Sequence, residues 1–176
     1  MSHYRRNYIE GGTFFFTVKL ADPKSRLLVE HIGLLREAYA FVQNRYPFET
    51  VAICVMPNHL HAVWTLPDGD RDYSLRWRLM KTRFSHHFAA SDGLSASKQR
   101  RHEKGIWQRR FYEHTVRDDV DLQRVVDYVH FNPVKHGFSA NVKDWPFSSF
   151  HRFVRDGLLP LDWGGTAGAR IMNFGE

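Results

Sequence analysis

Two extended runs, residues 49–56 (ETVAICVM) and 59–66 (HLHAVWTL), are separated only by Pro57-Asn58. A connection that short predicts a tight antiparallel hairpin. Side chains alternate along a strand, so Leu60, Ala62, Trp64 and Leu66 form the core-facing set, while His59, His61, Val63 and Thr65 point to the opposite face. The hairpin therefore carries two imidazoles on one side.

The rest of the chain supplies partners for it. Residues 13–20 (TFFFTVKL) read as a strand with Phe14, Phe16, Val18 and Leu20 on one face. Asp22-Pro23 breaks it, and Leu28, Ile32, Leu35, Tyr39 and Val42 then recur at helical spacing until Pro47. A second helix is predicted over residues 72–88, where Tyr73, Trp77, Met80, Phe84 and Phe88 alternate with Arg76, Arg78, Lys81 and Arg83. Residues 89–105 offer almost nothing apolar and carry Lys98, Arg100, Arg101 and Lys104, which predicts a mobile basic loop. Residues 111–116 read as a fourth strand. Asp118 or Asp119 then caps a last helix through Leu122, Val126 and Val129, closing at Asn132-Pro133.

The order βαββαβ predicts an α+β, ferredoxin-like fold: a four-stranded antiparallel sheet with two helices on one face, plus an additional helix outside that unit. The tail, residues 138–176, holds enough Trp, Phe and Leu to pack on the body or over the site. Residues 1–176 read as a single domain, with no repeat or linker.

Composition narrows the partners. At 43% hydrophobic and 25% charged the chain is neither disordered nor collagen-like. Its longest apolar runs, such as residues 51–56, are far too short to cross a bilayer, and residues 1–12 lack a secretory apolar stretch, so a cytoplasmic protein without membrane contact is expected. The single cysteine, Cys54, reads as a small buried thiol. A net charge of +6, with 11 histidines beyond it, favours a polyanion as partner.

On the polar face of the hairpin His59 and His61 stand roughly 7 Å apart along the strand, close enough to converge on one metal ion. The zinc-hydrolase pattern His-x-His-x-Asp-His fails, because Val63 and Trp64 occupy its last two places. Two histidines with open positions suit Mg²⁺ or Mn²⁺ holding a phosphate better than a closed zinc site. On the last helix, Tyr128 lies to one side of the Leu122–Val126–Val129 stripe, in line with Asn132. By spacing alone these two are either a packed tyrosine and a helix-closing asparagine, or a hydroxyl and an amide offered to a site.

Four stretches together resemble a family: Met56-Pro57-Asn58-His59-Leu60-His61, then Trp107-Gln108 with Phe111-Tyr112, then Tyr128 through Asn132-Pro133-Val134-Lys135, then Trp145-Pro146-Phe147-Ser148-Ser149. In this order they are similar to the single-tyrosine transposases of the HUH nuclease superfamily, specifically the REP-associated tyrosine transposases. The resemblance implies His59 and His61 as the metal pair, Tyr128 as nucleophile, and Asn132 at the place of a third polar metal ligand, where relatives often carry glutamine. It also implies attack of the tyrosine on single-stranded DNA, a 5′-phosphotyrosine intermediate, and recognition of repetitive extragenic palindromes folded as hairpins, by a monomer or a homodimer.

Arg76, Arg78, Lys81 and Arg83 on the helix, and Lys98, Arg100, Arg101 and Lys104 on the loop, are then the candidates for tracking DNA phosphates. A catalytically inactive hairpin-binding protein is the alternative. An RNA-binding ferredoxin-like module is disfavoured by the absence of its aromatic consensus on two inner strands.

Overall fold

Three consecutive phenylalanines cannot share one face of a strand, and Phe14, Phe15 and Phe16 divide between two cores. Phe14 and Phe16 pack with Val18, Leu60 and Trp64. Phe15 packs on the other side with Val63, Val125 and Tyr128. The sheet is thus covered on both faces.

The computed structural model describes residues 8–165. Its strands are β1 (Thr13–Lys19), β2 (Glu49–Val55), β3 (His59–Thr65) and β4 (Tyr112–Thr115). Its helices are α1 (Leu27–Glu30), α2 (Ile32–Arg45), α3 (Tyr73–Ser85), α4 (Ala96–Arg100), α5 (Asp119–Lys135) and α6 (Phe150–Arg155). The strand order is β2-β3-β1-β4, antiparallel throughout, which is the ferredoxin-like arrangement expected. Helices α2 and α3 lie on the Phe14 face, and α5 covers the other. The first predicted helix is interrupted at His31, whose ring packs edge-on against Phe88. Cys54 is buried as expected. Among the described residues no helix is long and apolar enough to cross a membrane.

Helix α5 departs from the sequence reading in its ending and in its buried face. Asp118 caps it by accepting from the Asp121 N–H. At the far end the helix runs through Pro133 to Lys135. Pro133 only removes one backbone donor, and the true stop is Gly137 at φ 70°: its N–H reaches the Val134 carbonyl while the Phe138 N–H reaches the Pro133 carbonyl, a Schellman ending. The buried side is also broader than a single stripe. Val125, Tyr128, His130 and Asn132 join Val126 and Val129 in burial, while Leu122 is only partly covered.

The predicted mobile loop is ordered in part. Ser95 caps α4 by accepting from the Lys98 N–H, and the Lys104 ammonium donates to the carbonyls of Phe88 (2.6 Å) and His86 (3.1 Å), tying the segment to the end of α3.

The described part of the tail, residues 138–165, closes the β2 edge. The Val55 N–H donates to the Phe147 carbonyl, and the Ile53 N–H donates to Ser149 Oγ at 2.9 Å. Val51 is an extra residue in the β2–β3 ladder, and the Arg152 guanidinium takes the carbonyls of Thr50 and Val51 that the bulge releases. Ser149 Oγ also hydrogen-bonds with His130 Nε2, 2.9 Å away. Burial, with Arg152 and His151 nearby, pushes the pKa of His130 down to about 3, so the ring is neutral. An edge strand that would otherwise invite pairing with another chain is thereby occupied. Residues 166–176 lie outside the described residues.

Arg76 corrects an expectation. Its side chain is 1% exposed, pairs with Asp70 at 2.6 Å, and donates to the carbonyls of Tyr46, Pro47 and Asp72. It is a bolt between α3 and the α2–β2 connection, with no donor directed at solvent. Arg83, by contrast, pairs at the surface with Glu37 and lies over the Phe41 ring.

Arg76→Leu should lower the unfolding free energy by about 2 kcal/mol, because the carbonyls of Tyr46, Pro47 and Asp72 lose their buried donor, and Arg83→Leu by less than about 1 kcal/mol; urea denaturation measures both. The hydrogen bond from Arg76 holds the Asp70 carboxyl below the usual range. The contribution of the pair is therefore complete above about pH 4 and is lost as pH falls through the lowered pKa.

Candidate active site

The register of the sheet delivers the two histidines. On β3, His61 sits opposite Thr17 of β1 and Cys54 of β2, and His59 sits opposite Lys19. Both rings face α5, as the alternation predicts, and both are buried (His59 6% and His61 0% exposed). Their centroids are 4.9 Å apart.

Each ring is oriented through Nδ1. The Asn58 amide donates to the Pro23 carbonyl, which leaves Asn58 Oδ1 as an acceptor 2.7 Å from His59 Nδ1. His59 Nδ1 therefore carries the proton, and Nε2 carries the lone pair. His61 Nδ1 lies 2.9 Å from Thr17 Oγ1, and its ring stacks on Phe15 at 5.5 Å. Holding one nitrogen of an imidazole is how metal-binding histidines are aimed, so Nε2 is the atom each ring offers.

Helix α5 brings the tyrosine to this pair. The Tyr128 ring centroid is 5.2 Å from that of His61 and 5.8 Å from that of Phe15, edge-on to both. The side chain is 0% exposed, which corrects its expected position at the margin of the helix's apolar stripe. Because α5 continues past Pro133, Asn132 is helical and lies one turn beyond Tyr128, fully buried. One turn further, His136 closes the helix with its ring 5.2 Å from His59.

Among the described residues no group of three His, Cys, Asp or Glu side chains could hold a metal. What the described residues bring together is two imidazoles that present Nε2, a pair able to hold a divalent cation with positions left for phosphate and water oxygens.

Sequence reasoning missed Thr17, Asn58, Lys135 and His136 at this site. Asn58 was legible as the turn residue directly before His59. Lys135 and His136 were legible as the positions two turns past Tyr128, had the helix not been ended at Pro133.

The eight basic candidates separate. Arg78, Lys81, Arg101 and Lys104 line a single open groove of about 870 Å³ between α3 and residues 101–111, where Arg109 and Trp107 join them. Lys81 knits its walls by donating to the Gln108 carbonyl at 2.6 Å. Arg76 is buried, Arg83 lies outside the groove, and Lys98 and Arg100 on α4 do not line it. The groove is tied to the histidine pair through the sheet: Gln108 N–H bonds the Lys19 carbonyl, and Lys19 pairs with His59. The backbones of Gln108 and His59 are thus two strand spacings apart, about 10 Å, with α3 and the groove on one face of the sheet and the histidine rings on the other.

Residues 23–132 match the family model described as transposase IS200 like. The chain is 48% identical over 178 residues to the REP-associated tyrosine transposase of Escherichia coli K12, covering 98% of this chain and 100% of that one. A solved REP-associated tyrosine transposase bound to a REP hairpin superposes with a TM-score of 0.87 at 47% identity, covering 100% of this chain and 98% of that one.

Asn58→Ala should weaken Mn²⁺ binding, followed by calorimetric titration, by about tenfold, since it frees the His59 ring without removing a ligand. An unchanged affinity would discard the orienting role of Asn58.

Proposed function

The chain belongs to the IS200-like transposases and, within them, to the REP-associated tyrosine transposases, and on that premise we propose that it cuts and rejoins single-stranded DNA beside REP-type hairpins. Tyr128 is the nucleophile, and His59 and His61, with Asn132 beside them, hold a divalent cation, Mg²⁺ or Mn²⁺. The observation that carries this reading is a pair of Nδ1-anchored imidazoles 4.9 Å apart, one of which, His61, lies 5.2 Å from the ring of Tyr128.

A divalent cation bound there would withdraw charge from the phosphate oxygens. The protein's own task is to position the phenol. A free tyrosine has a pKa of about 10, so about one in a thousand is ionised at neutral pH, and attack depends on placement beside the phosphorus. Phe15 and His61 grip the ring edge-on and leave it little rotational freedom. In the reaction Tyr128 Oη bonds to phosphorus as the bond to the 3′ oxygen breaks, giving a 5′-phosphotyrosine and a 3′-OH. The diester energy is retained, so a different 3′-OH can reverse the step without ATP. The burial of Tyr128 keeps water from the linkage, and it requires the side chains over the ring to part when DNA enters.

The groove supplies recognition. Arg78, Lys81, Arg101 and Lys104 present positive charge along one groove, where phosphates of a hairpin would be held while its flanking single strand reaches Tyr128. The hairpin seen with the solved relative supports this partner.

The direct test incubates the protein with Mg²⁺ or Mn²⁺ and a labelled oligonucleotide holding a REP palindrome and its flanking strand, then resolves covalent adduct on a denaturing gel. Tyr128→Phe should abolish the adduct and keep hairpin affinity; His59→Ala or His61→Ala should remove metal-dependent cleavage. Hairpin binding with no adduct from the native chain would instead make this an inactive binding protein. Arg78→Ala and Arg101→Ala should each weaken hairpin binding and reduce its salt slope by about one, while Arg83→Ala should change neither. Equal effects at all three positions would argue against the groove.

A further inference from the structure

We infer that Lys135 is a second catalytic residue, one that receives the phosphate oxygens at Tyr128; this deepens the strand-transfer reading above and rests on it. Seven residues after Tyr128, Lys135 stands two turns along the same side of α5. Helical side chains lean toward the N-terminus. Lys135 follows that lean, and its ammonium lies over the Tyr128 ring, 4.8 Å from the centroid. It is half-buried, reaching from the exposed end of the helix at His136 to a phenol with no exposed surface. Any phosphate approaching the phenol from that end passes the ammonium.

The electrostatics of the helix require such a charge. Asn132 to Lys135 form the last turn of α5, where the aligned peptide dipoles give the helix end a partial negative charge. An anionic diester must be received beside that end. Lys135 is the basic residue of the last turn, and its contact with the ring face is weak compared with a charge-assisted bond to a phosphate oxygen.

On DNA entry the ammonium passes from the ring to a non-bridging oxygen and uncovers the phenol. The Oη–P bond then forms while P–O3′ breaks, and the phenolic proton ends on the departing 3′ oxygen, directly or through water. The diester keeps its single negative charge, now on the phosphotyrosine, and Lys135 keeps its proton throughout.

The experiment compares Lys135→Met, which still covers the ring but has no charge, with Lys135→Arg, which keeps it. Both are assayed for adduct formation on the labelled REP oligonucleotide in single turnover. At saturating DNA, Lys135→Met should be about 100-fold slower than the native chain, with a half-saturating DNA concentration within about twofold, and Lys135→Arg should stay within about fivefold of the native rate. A Met variant within about threefold of the native rate, or Met and Arg variants slowed alike, would overturn the inference and reduce Lys135 to packing. Absence of adduct from the native chain would instead overturn the strand-transfer reading, and this inference with it.

Discussion

A slip of one residue between β1 and β3 would turn His59 and His61 into the core beneath α2 and α3, and Leu60 and Trp64 out of it. The site depends on that register. It is held from both sides: Phe14, Phe16 and Trp64 on one face and Phe15 and Val63 on the other each bury their own set of side chains. The same pairing puts Thr17 opposite His61, where its hydroxyl fixes the ring, and Lys19 opposite His59, from where the ladder continues to the wall of the basic groove. Histidine pair, orienting hydroxyl and groove are consequences of one antiparallel alignment.

What the register does not supply, α5 does. The helix is laid on the β2–β3 side of the sheet by Val125, Val126 and Val129 and is kept there by a tail that pairs along β2. Trp145 donates to the Val55 carbonyl, Ser149 bridges Ile53 and the neutral His130, and Arg152 occupies the bulge. The motif Trp145-Pro146-Phe147-Ser148-Ser149 thus has a structural meaning: it holds an edge strand and, through it, the helix that carries the tyrosine.

The sheet was readable because its strands alternate cleanly and because Pro57-Asn58 permits one connection only. The histidine face was readable for the same reason. Tyr128 was harder. Local periodicity identifies the strongest stripe of a helix, but α5 is buried over most of its circumference by the sheet and by residues far along the chain, which spacing cannot reveal. Pro133 reads as the stop, whereas the chain leaves the helix at Gly137, whose positive φ allows the turn. That ending left His136 unread and Lys135 without a role. Arg76 failed as a surface residue because charge says nothing about which side of a helix faces a gap lined by backbone carbonyls.

The central claim is that one divalent ion, the two histidines and the tyrosine share a single phosphate. Crystals of the Tyr128→Phe protein with a REP hairpin oligonucleotide and Mn²⁺, examined by anomalous scattering, test it most directly. The account predicts one manganese peak within about 2.5 Å of Nε2 of both His59 and His61, bound to the phosphate that the ring at position 128 faces. A peak away from this pair, or a phosphate chain that passes the site without approaching that ring, would contradict it.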